Sequence, residues 1–456
     1  MSLQYDHQHL NDILEVAHGA ASEFLESLAT RAAGCTLQPM PHDVLPEEGL
    51  GAQEALATFR GKYENLLAAS PGPRYLGFVT GGSTPAAVAG DWLVSAYDQN
   101  VGSDGDSIAT TVERETLGLL RALFGLPDSF EGAFVTGATQ ANFVALATAR
   151  QWAAARHGID VSEQGLWNVP PIPVLGGSPH ASVVKALAML GMGRQVMEYV
   201  PSLPGRMAVN LEALAQRLAA LDGASAIVVA SAGDVNTGDF DDIAAMADLC
   251  KTYGAWLHVD GAFGLFAACD PARAHLLRGL EFADSITADG HKWLNVPYDS
   301  GFVFTRHLAL HQQVFKVSAA YLGDTSDLSH RTPEDSRRFR ALPAWMTLMA
   351  YGKNGYQEVV ARCCSFAQQL GRGIEQSSYF ELLAPIRLNI VCFALNDASA
   401  EQRDRFLERL KEDGRVLLTP TFFAGKPAIR AAFSNWSTGE KDIPLILEAL
   451  EECMNK

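Results

Sequence analysis

From about residue 130 onward, short apolar, β-branched runs alternate along the chain with longer stretches of helical periodicity. The short runs are 133–136, 173–175, 226–230, 256–259, 285–287 and 301–304. Between them lie 181–190, 211–221 and 242–253, and in the second of these Leu211, Leu214, Leu218 and Leu221 fall on one helical face. Strands without in/out alternation, separated by helices, predict an α/β fold with a mainly parallel sheet covered on both faces. Such sheets bind ligands beyond the carboxyl ends of their strands.

The flanks read differently. Leu10, Ile13, Leu14, Val16 and Ala17 recur at helical spacing, and prolines 39, 41 and 46 then break any helix. Residues 1–60 are therefore expected to be a helix and an arm with no core of their own, packed on a partner subunit. Residues 61–335 form the large domain. Residues 336–456, with apolar runs at 388–394 and 428–433 and helical stretches at 401–413 and 443–453, form a smaller α+β domain.

Composition narrows the function. With 35 Lys and Arg against 52 Asp and Glu, the chain carries a net charge of −17 and no basic tract, so no nucleic-acid partner is expected. No run reaches the length of a membrane span, and residues 1–9 lack the basic patch and apolar run of a secretory signal. The 7 cysteines form no CxxC pattern, which fits a reduced, cytoplasmic protein. No metal-ligand cluster is evident, and no metal is predicted.

The candidate chemistry lies at strand ends. The strand at 256–259 ends on Asp260, and Asp289-Gly-His291-Lys292-Trp follows the next strand. A lysine between His and Trp is costly to bury unless it is paired, deprotonated or covalently bound. Lysine as a Schiff-base former, with an aspartate on a pyridinium nitrogen, is the arrangement used with pyridoxal phosphate; a plain Asp–Lys ion pair is the alternative. The turn Gly137-Ala138-Thr139 opens a helix whose free N–H groups suit a phosphate, although Thr139 alone would also serve as an N-cap. His180 sits between a strand and a helix, where it would stack on an aromatic ring or cap the helix.

These segments together resemble the group II pyridoxal-phosphate-dependent amino-acid decarboxylases, the family of the aromatic-amino-acid, glutamate and diaminobutyrate decarboxylases. The resemblance is carried by Gly137-Ala-Thr-Gln-Ala-Asn, His180-Ala-Ser-Val-Val-Lys-Ala, His258-Val-Asp-Gly-Ala-Phe-Gly and Asp289-Gly-His-Lys-Trp-Leu-Asn. It extends to Pro73-Arg-Tyr-Leu-Gly-Phe, Ser336-Arg-Arg-Phe-Arg and Arg430-Ala-Ala-Phe-Ser-Asn-Trp436. It implies the aspartate-aminotransferase fold (fold type I), with a doubly wound large domain, a small C-terminal domain and a homodimer whose active sites lie at the interface. It also implies pyridoxal 5'-phosphate as cofactor and an amino acid as substrate. Carried over by position, Lys292 is the Schiff-base lysine, Asp260 the partner of the ring nitrogen, and His180 and Ala262 the two faces of the ring. Gly137, Ala138 and Thr139 take the phosphate-loop positions; His291 lies near the phosphate, and Asp289 belongs to the same cofactor set.

Two departures stand out. Asp234 occupies a position where the family has threonine, and it either touches the cofactor or substrate or is a turn residue facing solvent. The loop 323–336 has no tyrosine to return a proton to Cα, which leaves His330, or Tyr321 just before the loop, as candidate acid. The expected reaction is decarboxylation of an L-amino acid, with a slight tilt toward an aromatic or bulky side chain from Tyr75, Phe78, Trp92 and Tyr97. The alternatives are a lyase or aldolase breaking another Cα bond, a decarboxylating aldehyde synthase, and an idle cofactor-binding regulatory protein. Arg337, Arg338 and Arg340 read as anchors of a loop or a subunit contact. Arg430 and Trp436 read as structural.

Overall fold

The apolar runs become the strands of one sheet in a computed structural model, which describes residues 3–36, 39–105, 107–317 and 327–455. In chain order they are β1 (Glu131–Val135), β2 (Val174–Gly176), β3 (Met197–Tyr199), β4 (Ile227–Ser231), β5 (Trp256–Asp260), β6 (Ser285–Asp289) and β7 (Gly301–Thr305). Their spatial order is β1-β7-β6-β5-β4-β2-β3. Strand β7 is antiparallel to both β1 and β6, and the pairs from β6 through β3 are parallel. All strands but β7 therefore point their carboxyl ends at one edge. The short connection 290–300 explains the exception, because a parallel return needs a crossover helix.

Residues of β4 to β7 are buried throughout, because helices cover both faces of the sheet. Successive side chains alternate between those faces. Leu257 and Val259 join the main core with Phe124 and Phe302, whereas Trp256 packs with Leu146, Val183 and Val229 on the other side. His258 and Asp260 share the Trp256 face by the same alternation, which turns them toward the helix Ala138–Ala155.

A second sheet is antiparallel, in the order β10-β11-β9-β8, with β8 at Phe380–Leu382, β9 at Ile390–Leu395, β10 at Thr419–Phe423 and β11 at Lys426–Ala432. The segment Ala341–Gln376 links the two sheets and is two helices broken at Gly352, where φ is 58° and ψ −168°. Residues 75–77 also reach the small sheet: Leu76 N–H donates to the Leu417 carbonyl, and Ala432 N–H donates to that of Leu76. The helices Leu3–Gln8, Leu10–Ser27 and Ala52–Tyr63 bury none of their residues within the chain. Among the described residues no helix is long and apolar enough to cross a membrane.

The three clustered arginines are all paired within the chain. Arg337 and Glu113 form a fully buried ion pair at 2.8 Å, and the same guanidinium donates to the Val101 and Phe134 carbonyls. Removing one partner of such a pair costs roughly 3–5 kcal/mol. Arg338 pairs with Asp91, and Arg340 with Asp299 and Glu334.

Candidate active site

At the carboxyl edge of the large sheet a cleft of about 380 Å³ is lined by His180, Ser231, Asp234, Asp260, Ala262 and Lys292, among others. Parallel pairing sets this convergence, since Ser231 lies opposite Asp260 and Asp260 opposite Thr287 in register. Lys292 belongs to a single π-helical turn, Gly290–Leu294, that follows β6 directly. Such turns are rare and concentrate at functional sites. Asn295 clamps the turn: its amide donates to the Lys292 and Ser434 carbonyls, and its oxygen accepts from Trp436 N–H. Gly81 lies so close that a Cβ there would sit 1.7 Å from the Lys292 carbonyl oxygen.

Lys292 does not pair with Asp260. Its Nζ lies 3.1 Å from Asp289 Oδ2, at the end of β6. The other oxygen of Asp289 accepts from Ala138 N–H at 2.5 Å, so this carboxylate already occupies the positive end of the helix that β1 feeds. The backbone N–H groups of Thr139 and Gln140 have no partner among the described residues. His291 Nδ1 accepts from Ser300 N–H, which leaves its Nε2 toward Asp289 at 3.5 Å. Burial pulls the His291 ring below its ordinary value, and Asp289 works against this. A Cβ at Gly137 would meet the His291 ring at 2.9 Å, so glycine is what lets the turn approach this corner.

His180 caps the helix Ala181–Met189 by accepting from Ser182 N–H at its Nδ1. It also lines the cleft, so the capping and cleft readings hold together. Burial lowers its pKa first, opposed by the Asp260 charge. Asp260 accepts from Ala262 N–H on one oxygen and from Asn142 Nδ2–H on the other.

Asp234 is buried and lines the cleft, so it is not a solvent-facing turn residue. It is a turn residue all the same: its Oδ1 accepts from the N–H groups of Asn236 and Thr237 and from the Thr237 hydroxyl. Burial pushes its carboxyl above the ordinary range. Arg430 donates to the Val235 carbonyl beside it, and Trp436 to that of Ser83.

His330 lies elsewhere. It is buried in the short turn Leu328–Arg331, which is tied to β1 through Arg331, and its Nδ1 accepts from Val317 N–H. It does not line the cleft of its own chain. Tyr321 lies outside the described residues. Phe78, Trp92 and Tyr97 are largely exposed and, with Tyr75, are not among the residues lining the cleft.

The donor set fits pyridoxal phosphate. The cleft brings together a lysine amine, a carboxylate able to face a ring nitrogen, His180 and the small Ala262. At the start of the helix that follows Gly137, the unpaired N–H groups of Thr139 and Gln140 are open to an anion. The sequence identified these positions but missed Gly81, Asn142, Ser182, His258 and Asn295. Four of these stand inside the quoted motifs, as Asn142, Ser182, His258 and Asn295, and that placement was the available signal.

Residues 64–396 match the model of the pyridoxal-dependent decarboxylase conserved domain. The chain is 27% identical over 421 residues to an aromatic-L-amino-acid decarboxylase of Bacillus atrophaeus, covering 88% of this chain and 85% of the relative. It is 31% identical over 361 residues to an L-2,4-diaminobutyrate decarboxylase of Rhizobium meliloti, covering 77% and 70%. Among solved structures, Oryza sativa TDC with PLP and tryptamine superposes with a TM-score of 0.91 at 22% identity, covering 98% of each chain.

Proposed function

Since the chain belongs to the pyridoxal-dependent decarboxylase family, whose members are carboxy-lyases that use pyridoxal phosphate, we propose that it removes the α-carboxyl group of an L-amino acid at the cleft over Lys292. The observation that carries this reading is the convergence of Lys292, Asp260 and His180 on one cleft at the carboxyl edge of the sheet. Pyridoxal phosphate supplies, when bound, a sink for the electron pair released as a bond to Cα breaks.

The chain's own residues hold, orient and shield. Lys292 Nζ is the attachment point, and Asp289 keeps that amine against the cleft wall. Asp260, with both oxygens already accepting one hydrogen bond, keeps further lone pairs for a protonated ring nitrogen. His180 and Ala262 confine the ring between them. The N-terminal turn of the helix Ala138–Ala155, with His291 beside it, takes the phosphate. Which bond at Cα breaks is then decided by how the substrate is held, because the bond set perpendicular to the ring is the one that ionises.

The substrate in this reading carries an aromatic or bulky side chain, supported by the relatives named for aromatic amino acids. The exposed Phe78, Trp92 and Tyr97 and the unburied N-terminal helices support a homodimer in which a partner covers these surfaces. A second reading has its own observation: the loop 323–336 has no tyrosine, and His330 is buried away from its own cleft. With dioxygen as the two-electron oxidant and water supplying the carbonyl oxygen, the decarboxylated substrate would then leave as an aldehyde with ammonia and hydrogen peroxide instead of as an amine.

The test is to incubate the cofactor-loaded protein with a panel of L-amino acids and identify the products by mass. An amine with equimolar carbon dioxide is expected. An aldehyde with ammonia and peroxide selects the second reading. Carbon dioxide from no member of the panel overturns both.

A further inference from the structure

Behind Asp260, on the side away from the cleft, lies a hydrogen-bonded chain of buried side chains that the reaction as described does not use. Trp256 Nε1–H donates to Ser285 Oγ at 3.0 Å, and Ser285 Oγ lies 2.9 Å from His258 Nδ1. His258 Nε2 lies 2.8 Å from Asn142 Oδ1. The Asn142 amide nitrogen lies 2.9 Å from Asp260 Oδ2 and 3.0 Å from Ser182 Oγ, which is 2.7 Å from His180 Nδ1. Trp256, Ser285, His258 and Asn142 have essentially no exposed surface.

The direction of every bond follows from the chemistry of the ends. An indole N–H can only donate, and a carboxylate only accepts. Asn142 uses one amide proton toward Asp260 and the other toward Ser182, so its oxygen accepts from His258 Nε2–H. His258 then carries its proton on Nε2 and accepts at Nδ1 from the Ser285 hydroxyl, which accepts from Trp256. Burial agrees with a neutral ring, pulling the His258 pKa down to about 4. On the branch, Ser182 accepts from Asn142 and donates to His180 Nδ1, which also accepts from the Ser182 backbone N–H. The His180 proton is thereby held on Nε2. The charged groups that act on that ring are Asp260, Lys292, Asp289 and Arg430.

Buried polar networks are seldom more stable than well-packed apolar residues of the same volume. In this one the only members that line the cleft are two of its three ends, Asp260 and His180. We infer that Asn142 and His258 are positioning residues of the reaction, and that the single amide of Asn142 sets the carboxylate orientation of Asp260 and, by directing the Ser182 hydroxyl at Nδ1, reinforces the His180 tautomer that the Ser182 N–H also favours. The inference rests on the reading in which Asp260 faces the ring nitrogen and His180 the ring face.

Three variants of the cofactor-loaded enzyme test it. Asn142→Asp is nearly isosteric and puts an acceptor against Asp260. His258→Leu removes the donor to Asn142, and His258→Gln restores an amide donor near the Nε2 position. Three quantities are measured for each: the absorption maximum of the bound cofactor, the cofactor dissociation constant, and kcat and KM separately. The expected result for N142D and H258L is a shifted maximum, weaker cofactor binding and a kcat lower by about tenfold to a hundredfold, the range for losing a hydrogen bond to a charged group. KM should stay near the wild-type value, and H258Q should recover most of the loss. An unchanged maximum and kcat in N142D overturn the inference. So does H258Q as impaired as H258L, because that result points to packing alone; this pair decides even where N142D does not fold. A wild-type protein with no lysine-bound cofactor band overturns the underlying reading, and the inference with it.

Discussion

Lys292 is held in place by a residue with no side chain. The Gly81 N–H donates to the His291 carbonyl, and a Cβ at Gly81 would lie 1.7 Å from the Lys292 carbonyl and 2.5 Å from the Asn295 amide. Backbone cannot yield as a side-chain tip can, so Gly81→Ala must displace the turn that carries the lysine. We expect it to reduce carbon dioxide release by about a hundredfold, the scale of a misplacement near 1 Å. Wild-type turnover in this variant, measured at full cofactor loading, would contradict that. At this scale the sequence is legible where a residue type is chemically conspicuous at a strand end, as with Lys292, Asp260 and His180. It is not legible where the role comes from a partner far along the chain. Asn142 and His258 both stand in motifs, but their bond joins positions 116 residues apart. Asp234 shows the converse: its type suggested chemistry or a solvent-facing turn, and the structure makes it a turn residue buried in the cleft wall.

The apolar runs give the central strands to within two residues, because strands buried on both faces have no polar positions to blur them. Strands β3, β8 and β10 escape the same reading. The first two are three residues long, and Thr419–Phe423 is a polar and Pro-containing edge strand. The reversed direction of β7 was implicit in the short stretch 290–300, a signal of length and not of composition. Elements also decide the response to acid. His258 on β5 and His311 on the helix Leu308–Phe315 are pulled from 6.5 down to about 4 by burial. The unfolded chain therefore binds their protons first, so stability is highest above pH 6.5 and falls as pH drops from 6.5 toward 4. Asp241 opposes this, since burial raises it from 3.8 to about 6 and the folded state takes up its proton first. His180 and His291 are shifted the same way as these histidines and Asp234 the same way as Asp241, so the histidines outnumber the carboxylates and their balance is a net loss of stability in acid. His311→Gln keeps a donor for the Arg331 carbonyl, which His311 Nε2 reaches at 2.6 Å, and removes the titrating ring. Urea midpoints between pH 7 and 4 should fall less steeply in this variant; an unchanged slope would contradict the assignment.

At the scale of the whole molecule, two sheets meet around the lysine turn. The large sheet supplies Asp260 and Asp289, and the segment that follows the small sheet's β11 supplies Ser434 and Trp436, which fix Asn295. The segment 75–84 ties both together, running beside the small sheet at Leu76 and against the lysine turn at Gly81 and Thr84. The α/β class of the large sheet follows from periodicity. This joint does not, because it is made by loops whose contacts carry no period. The account as a whole turns on one atom, Lys292 Nζ. Its most direct test is to reduce the cofactor-loaded wild-type protein with borohydride, digest it and locate the modified peptide by mass. The account predicts a phosphopyridoxyl group on Lys292 and on no other lysine. Modification of a different lysine, or none despite bound cofactor, would contradict it.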